Sequence, residues 1–315
     1  MWLLGKRKQK EAELNTSTRA TRELTPELIK KIKTVHIRSS RLVNTMMAGQ
    51  YKSVFKGSGI EFESVREYSP GDDVKSIDWK VSARMGKPFI KLYQEEREVI
   101  VMLLIDMSAS GNFGTTDRLK IETAAEIASI LAFNAIKNND KVGAIFFTDQ
   151  VEKYIPPKKG SAHIWRVIKE IFTYEPVHRG TDIVSAVHYL GSVCSKRTVT
   201  FVISDFLTSN YIKPLRIASK KHEMICIVLQ DKGEFVLPQS GIIMIEDMES
   251  GQMMAIDASD KRIRQVFELH QQEQFKKTLS LLTQNDIDCL QIATHDSVPD
   301  ALTKYFRIRE KRMRK

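Results

Sequence analysis

Five short segments are nearly continuous in apolar residues: 99–105, 142–147, 199–203, 224–229 and 288–292. A strand covered on one face alternates apolar and polar residues, whereas a strand covered on both faces has no solvent side to alternate toward. The five runs therefore read as central strands of a mainly parallel sheet. Between them the apolar residues recur at helical spacing, over 118–137, 162–172, 183–193, 211–220 and 261–283. Strand and helix in alternation predict an α/β fold, a doubly wound sheet with helices on both faces. The 315 residues are enough for one large or two modest domains.

The chain before the first run has a different character. Residues 1–25 are polar and charged with little periodicity and are expected to form a flexible basic tail. Thr25 and Pro26 give a helix start, a capping threonine followed by proline at the first position. Leu28, Ile29, Ile32, Val35, Leu42, Val43 and Met46 then keep helical spacing, and the stripe is read as one that docks on a neighbouring helix. From residue 60 the period becomes strand-like, over 62–68, 77–84 and 89–95, with turns at 69–72 and 85–87. An N-terminal helix and small β module are thus expected over 26–98, with Tyr68, Trp79 and Phe89 in its core. Asp72, Asp73 and Asp78 read as turn and strand-start carboxylates, because no hydroxyl or amide donors accompany them. The α/β domain is placed at 99–306, a hairpin at 242–256 turns at 249–251, and 307–315 reads as a second basic tail.

Three pieces at strand or helix boundaries carry the chemistry. Asp106, Ser108 and Ser110 follow the first run, Thr181 precedes a helix, and Asp205 ends the third run. A parallel sheet brings such positions to one edge, where open α/β sheets bind ligands. Two carboxylates and three hydroxyls are hard oxygen donors that suit Mg²⁺ or Mn²⁺ and suit zinc poorly. Mostly neutral ligands leave such an ion electrophilic, with at least one position open for a partner's carboxylate. Asn112 and Phe113 beside the first piece, with Phe206 and Leu207 after Asp205, are the residues expected to touch that partner.

The order Asp-x-Ser-x-Ser, Gly-Thr-Asp and then an apolar strand ending in Ser-Asp resembles the metal-ion-dependent adhesion site of von Willebrand factor A-like domains. The stretch GSGIEFESVREYSPGDDVKSIDWKVSARMGKPFIKLYQEERE, with the later IEDMESGQ, resembles the signature of the bacterial domain of unknown function 58 family. That resemblance implies an adaptor or co-chaperone working with a MoxR-type AAA+ ATPase.

A catalytic set is missing from the pattern. No GxxxxGK[ST], HExxH or GxSxG string occurs, and Gly57-Ser58-Gly59 precedes a strand. His178 and His188 flank Thr181, but no carboxylate is evident to orient either ring. A non-enzymatic binding role is therefore expected ahead of a metal-dependent hydrolase. The net charge of +10 invites a nucleic-acid adaptor, yet much of it lies near the termini and basic residues are not interleaved with aromatic ones. Cys194, Cys226 and Cys289 are widely spaced and odd in number, which argues for reduced thiols in a cytoplasmic protein. No apolar run is long enough for a transmembrane segment.

Overall fold

The computed structural model describes residues 25–42, 51, 54–55, 61–94, 98–115, 118–249 and 251–313. The expected tail at 1–25 lies almost wholly outside them. The chain divides into two compact units, one of Met1–Val54 with Ile100–Lys315 and one of Phe55–Val99.

In chain order the elements are α1 (Pro26–Leu42), β1 (Glu61–Glu67), α2 (Trp79–Met85), β2 (Phe89–Gln94), β3 (Ile100–Asp106), α3 (Lys120–Lys137), β4 (Lys141–Phe147), β5 (Val151–Lys158) and α4 (Ser161–Thr173). They continue with α5 (Ile183–Val193), β6 (Val199–Ser204), α6 (Ile212–Ser219), β7 (Glu223–Gln230), β8 (Ile242–Glu246), β9 (Met253–Asp257), α7 (Lys261–Gln284), β10 (Asp288–Ala293) and α8 (Val298–Met313).

The larger unit is built on a six-stranded sheet of order β10-β7-β6-β3-β4-β5. All neighbours pair in parallel except β4 with β5. β3 is buried along its length from Val101 to Asp106, and β6 throughout, as strands covered on both faces must be. Burying each such Val, Leu, Ile or Phe side chain contributes roughly 1.5–3 kcal/mol before chain entropy is counted. One face carries α5, α6 and α7, whose Ile183, Leu190, Leu215 and Leu282 pack with Met102, Leu104 and Val202 of the sheet. On the other, α3 is buried on nearly every side, because α1, α4 and α8 pack around it.

The edge strand β5 is not legible as a strand, since it contains Pro156 and Pro157. Proline cannot donate to a ladder, so it is tolerated at an edge where one side faces no neighbour. The expected division of the chain also differs at its first helix. α1 groups with the sheet unit and not with the β module, with Ile32 and Ser39 buried and His36 edge-on to Phe133 of α3 and Trp165 of α4. The expected tail at 307–315 is helical as far as Met313. Phe306 is buried one turn before Arg309, whose guanidinium meets Asp288 and Glu223, and those contacts hold the segment in place.

The smaller unit pairs β1 with β2 in antiparallel register, with an irregularity between Phe62 and Ser64. Arg66 clamps Asp72 with two bonds of 2.9 and 2.7 Å, which closes the turn at 69–72. The segment expected as a strand over 77–84 is instead helix α2. Asp78 caps it by accepting from the amides of Lys80 and Val81, and Gly86 ends it at φ 69°. Trp79 is 69% exposed, so it is not a core residue, while Tyr68 and Phe89 are half-buried. The alternating pattern around Trp79 matched a strand, but the two caps decide the conformation.

Candidate metal centre

The sheet order changes direction at β3. The chain steps from β3 to β4 on one side, then returns to place β6 on the other, so the segments leaving β3 and β6 diverge and open a crevice between them. Asp106 ends β3, Ser204 ends β6 and Asp205 follows it directly. The switch point therefore holds two of the expected carboxylates.

Backbone geometry brings up the rest. After Asp106 the chain turns through a short helical turn, Ala109–Asn112, and the Ser108 amide donates to Asp106 Oδ1 at 2.9 Å. Ser108 Oγ and Ser110 Oγ stand 3.1 Å apart. Thr181 arrives from a different segment that is tied down at several points. Buried Glu152 accepts from the amides of Val177 and His178, from Thr148 Oγ1 and from the Tyr174 hydroxyl. Arg179 carbonyl accepts from the Ala109 amide at 2.9 Å, and the Asp182 amide donates to Thr148 carbonyl at 2.8 Å. Asp182 then caps α5. Between those anchors the Thr181 hydroxyl lies 3.5 Å from Asp106 Oδ2. All five residues expected from sequence are thus at one end of the sheet; Asp106, Ser108, Thr181 and Asp205 are buried and Ser110 is half-buried.

Four further residues belong to the cluster. Ser204 Oγ donates to Asp106 Oδ2 at 2.6 Å. Lys120, 2% exposed at the start of α3, donates to Asp205 Oδ2 at 2.7 Å and to Glu234 Oε1 at 2.5 Å. Glu234 is held by a short turn in which it accepts from the Asp231 amide at 2.7 Å. Glu249, at the tip of the β8–β9 hairpin, accepts from Thr181 Oγ1 at 2.6 Å. The D-x-x-E string at Asp231–Glu234 could have been read as a capping box. Nothing in the sequence distinguishes Lys120 from an ordinary exposed helix lysine.

Acids outnumber bases here. The cluster holds four carboxylates, Asp106, Asp205, Glu234 and Glu249, and one ammonium among the described residues, Lys120, which pairs with Asp205 and Glu234 while the Thr181 hydroxyl meets the other two. Burial, followed by the charge of Asp205, pushes Asp106 up to about 7 against the hydrogen bonds of Ser204 and Ser108. Burial first, and Asp205 to a lesser degree, also raises Glu249. Burial alone would lower Lys120, but Asp205 and Glu234 outweigh it and keep the ammonium charged.

The donor set fits a small hard cation. Adjacent corners of an octahedron with bonds of 2.0–2.1 Å lie about 2.9 Å apart, close to the 3.1 Å between the two serine hydroxyls. Among the described residues no group of three or more His, Cys, Asp or Glu has metal-holding geometry, so an ion would depend on the hydroxyls of Ser108, Ser110 and Thr181 as well as on the acids.

The four expected partner-facing residues separate. Asn112 and Leu207 are exposed, and Phe113 is half-buried with its ring centroid 6.0 Å from Lys120 Nζ. Phe206 is 2% exposed and edge-on to Tyr211 in the core, so it cannot offer a surface to a partner. A positive φ of 58° at Phe206 turns its side chain inward while Leu207 points out. His178 does meet a carboxylate that the sequence did not reveal, Asp149 at 3.5 Å, in an exposed pair.

Fold and cleft together define a mixed α/β protein with an oxygen-lined crevice at the switch point of a mainly parallel sheet. Residues 64–277 match the family model described as protein of unknown function DUF58, and the chain belongs to that family. It is similar to uncharacterized protein Mb1516 of Mycobacterium bovis, 29% identical over 229 residues and 72% of each chain. Uncharacterized protein YeaD of Bacillus subtilis is 24% identical over 196 residues, 60% of this chain and 45% of the other. Among solved structures, conserved hypothetical protein BatB from Bacteroides thetaiotaomicron aligns over 68% of this chain and 99% of its own, with 16% identity and a TM-score of 0.43. An aerotolerance-related membrane protein from Bacteroides fragilis aligns over 68% and 100%, with 17% identity and the same TM-score. No helix among the described residues is long and apolar enough to cross a membrane.

Proposed function

We propose that this chain is a non-enzymatic, Mg²⁺- or Mn²⁺-dependent protein-binding module, with a von Willebrand factor A-like domain whose ion receives an acidic side chain of a partner. The supporting observation is the convergence of Asp106, Ser108, Ser110 and Thr181 from two separate segments at the switch point, with hydroxyl spacing suited to an octahedral ion. A bound divalent ion would supply charge to an acid-rich cleft and an attachment point for a carboxylate. The chain's own residues do the rest: Lys120 holds Asp205, Ser204 orients Asp106, and the Glu152 anchor places Thr181. The proposed partner is a MoxR-type AAA+ ATPase, an acidic client protein, or both, in the cytoplasm.

The test uses the purified full chain. Mg²⁺ at a hundredfold excess over its dissociation constant is expected to stabilise the native state by about 2.7 kcal/mol. The Asp106→Ala, Asp205→Ala double variant loses that gain. Complex formation with a purified MoxR-type ATPase, followed by sedimentation, should fall in EDTA and in Thr181→Ala. A melting temperature indifferent to Mg²⁺ in the native chain, or a complex equally tight in excess chelator, refutes the reading.

A further inference from the structure

The β8–β9 hairpin is an unusual neighbour for a buried site. It forms a separate two-stranded sheet and shares no ladder with the six-stranded one. Its apolar residues Ile242, Met244, Met253 and Met254 are 75%, 58%, 64% and 65% exposed, and Ile243, Ile245 and Ile256 are only half-buried, so no fully buried strand residue holds the hairpin down. The tip, in contrast, is well shaped. Asp247 Oδ1 accepts from the Glu249 amide at 2.9 Å, Asp247 carbonyl accepts from the Gly251 amide at 2.7 Å, and Gly251 has φ 70°, a conformation that favours glycine. That geometry delivers the Glu249 carboxylate to the Thr181 hydroxyl at 2.6 Å.

A carboxylate there is costly without a reason. It shares the Thr181 hydroxyl with Asp106 and feels the charge of Asp205, and the cluster's ammonium is already shared between Asp205 and Glu234. Fully ionised, the four carboxylates and Lys120 leave three negative charges, and a divalent ion reduces that excess to one. A carboxylate hydrogen-bonded to Thr181 then has an ion to bind, because Thr181 Oγ1 also lies 3.5 Å from Asp106 Oδ2 and so places Glu249 beside the same hard oxygen donors.

We propose that Glu249 is the chain's own carboxylate ligand for this ion, and that the hairpin 242–257 is a strap that must lift before a partner's acidic side chain can take the same position. The inference rests on the metal-dependent reading above. It adds the regulation of that site: the free protein is self-occupied, and a partner binds by exchanging one carboxylate for another. Exchange needs differential affinity between the strapped and lifted states, so a hairpin with little burial beneath it is a suitable element.

The experiment uses the full chain loaded with Mn²⁺, reading metal affinity and water-proton relaxation, with Glu249→Gln as the variant. Removing the ligand is expected to weaken Mn²⁺ roughly 10- to 100-fold, by analogy with the loss of groups that support metal ligands, and to open one more exchangeable water position on the ion. Acetate, as a free carboxylate probe, should then lower the relaxivity of Glu249→Gln much more than that of the native chain. Hydrogen exchange supplies a second readout that does not depend on a substitution: amides of 242–257 should slow when Mg²⁺ is added to the native chain. If Mn²⁺ binds the native chain but Glu249→Gln changes neither affinity nor relaxivity, and the hairpin amides ignore Mg²⁺, the strap is wrong while the metal site stands. If the native chain binds no Mn²⁺, both the site and the strap fall.

Discussion

The two ends of the same sheet carry charged clusters of opposite balance. At the N-terminal ends of β7 and β10, the acids Glu223 and Asp288 meet Arg309 from α8, with Arg312 and Arg197 adding longer contacts of 3.4 and 3.6 Å. At the C-terminal ends of β3 and β6, Lys120 pairs with Asp205 and Glu234, while Asp106 and Glu249 meet the Thr181 hydroxyl and no cation among the described residues. The first arrangement is complete as it stands and fastens a helix to the sheet edge. The second is deficient in positive charge, and such a deficit, held in place by buried hydrogen bonds, is where a cation or a charged partner has something to gain.

The largest test of that contrast is pH. Asp106 is raised from an ordinary 3.8 to about 7, so between those values the native state binds more protons than the unfolded chain. Its contribution is fully present below about 4 and is lost as pH rises through about 7, a difference on the order of 4 kcal/mol at 1.36 kcal/mol per unit. Denaturant titrations in chelator, compared between native and Asp106→Asn chains, should show this slope only in the native one. Saturating Mg²⁺ should oppose it, because the ion prefers the ionised carboxylate. Equal slopes in the two chains would remove Asp106 from the argument.

At the balanced end the expected effect is smaller and independent of metal. Among the described residues Arg309→Ala leaves Glu223 with the exposed Arg197 as its ion-pair partner, and because the Arg309–Glu223 pair is half-buried the loss is expected to be about 2 kcal/mol, below the roughly 3–5 kcal/mol of a fully buried pair. Thermal melting should report the loss, while the stabilisation by Mg²⁺ stays as in the native chain. A change in the Mg²⁺ response would mean that the two ends are coupled. Smallest of all is Trp79→Ala in the other unit. A side chain 69% exposed should cost no more than about 0.5 kcal/mol, and a loss of several kcal/mol would show that Trp79 is covered in solution.

Much of the sheet was legible because a strand buried on both faces writes its environment directly into composition, as at 99–105 and 199–203. That the five hydroxyl and carboxylate residues converge was legible for a related reason: each sits near where a strand or helix begins or ends, and parallel topology sends such boundaries to one edge. Edge strand β5 escaped because its prolines argue against a strand until the missing neighbour is known. Helix α2 escaped because alternation at 77–84 outweighed the caps Asp78 and Gly86 in the reading. Phe206 looked like a surface residue, and only the backbone's positive φ turned it into the core.

Sequence by itself therefore determined the layer architecture, the order of the central strands along the chain and the placing of Asp106, Ser108, Ser110, Thr181 and Asp205 at one end of the sheet. The tertiary structure decided what faces them: Lys120 from a helix start, Glu234 from a turn, and Glu249 from a hairpin tip, 14, 128 and 143 positions along the chain from Asp106. Local patterns report a residue's own covering by solvent or neighbours, but a charge balance depends on which distant groups converge, and that information exists only once the chain has folded.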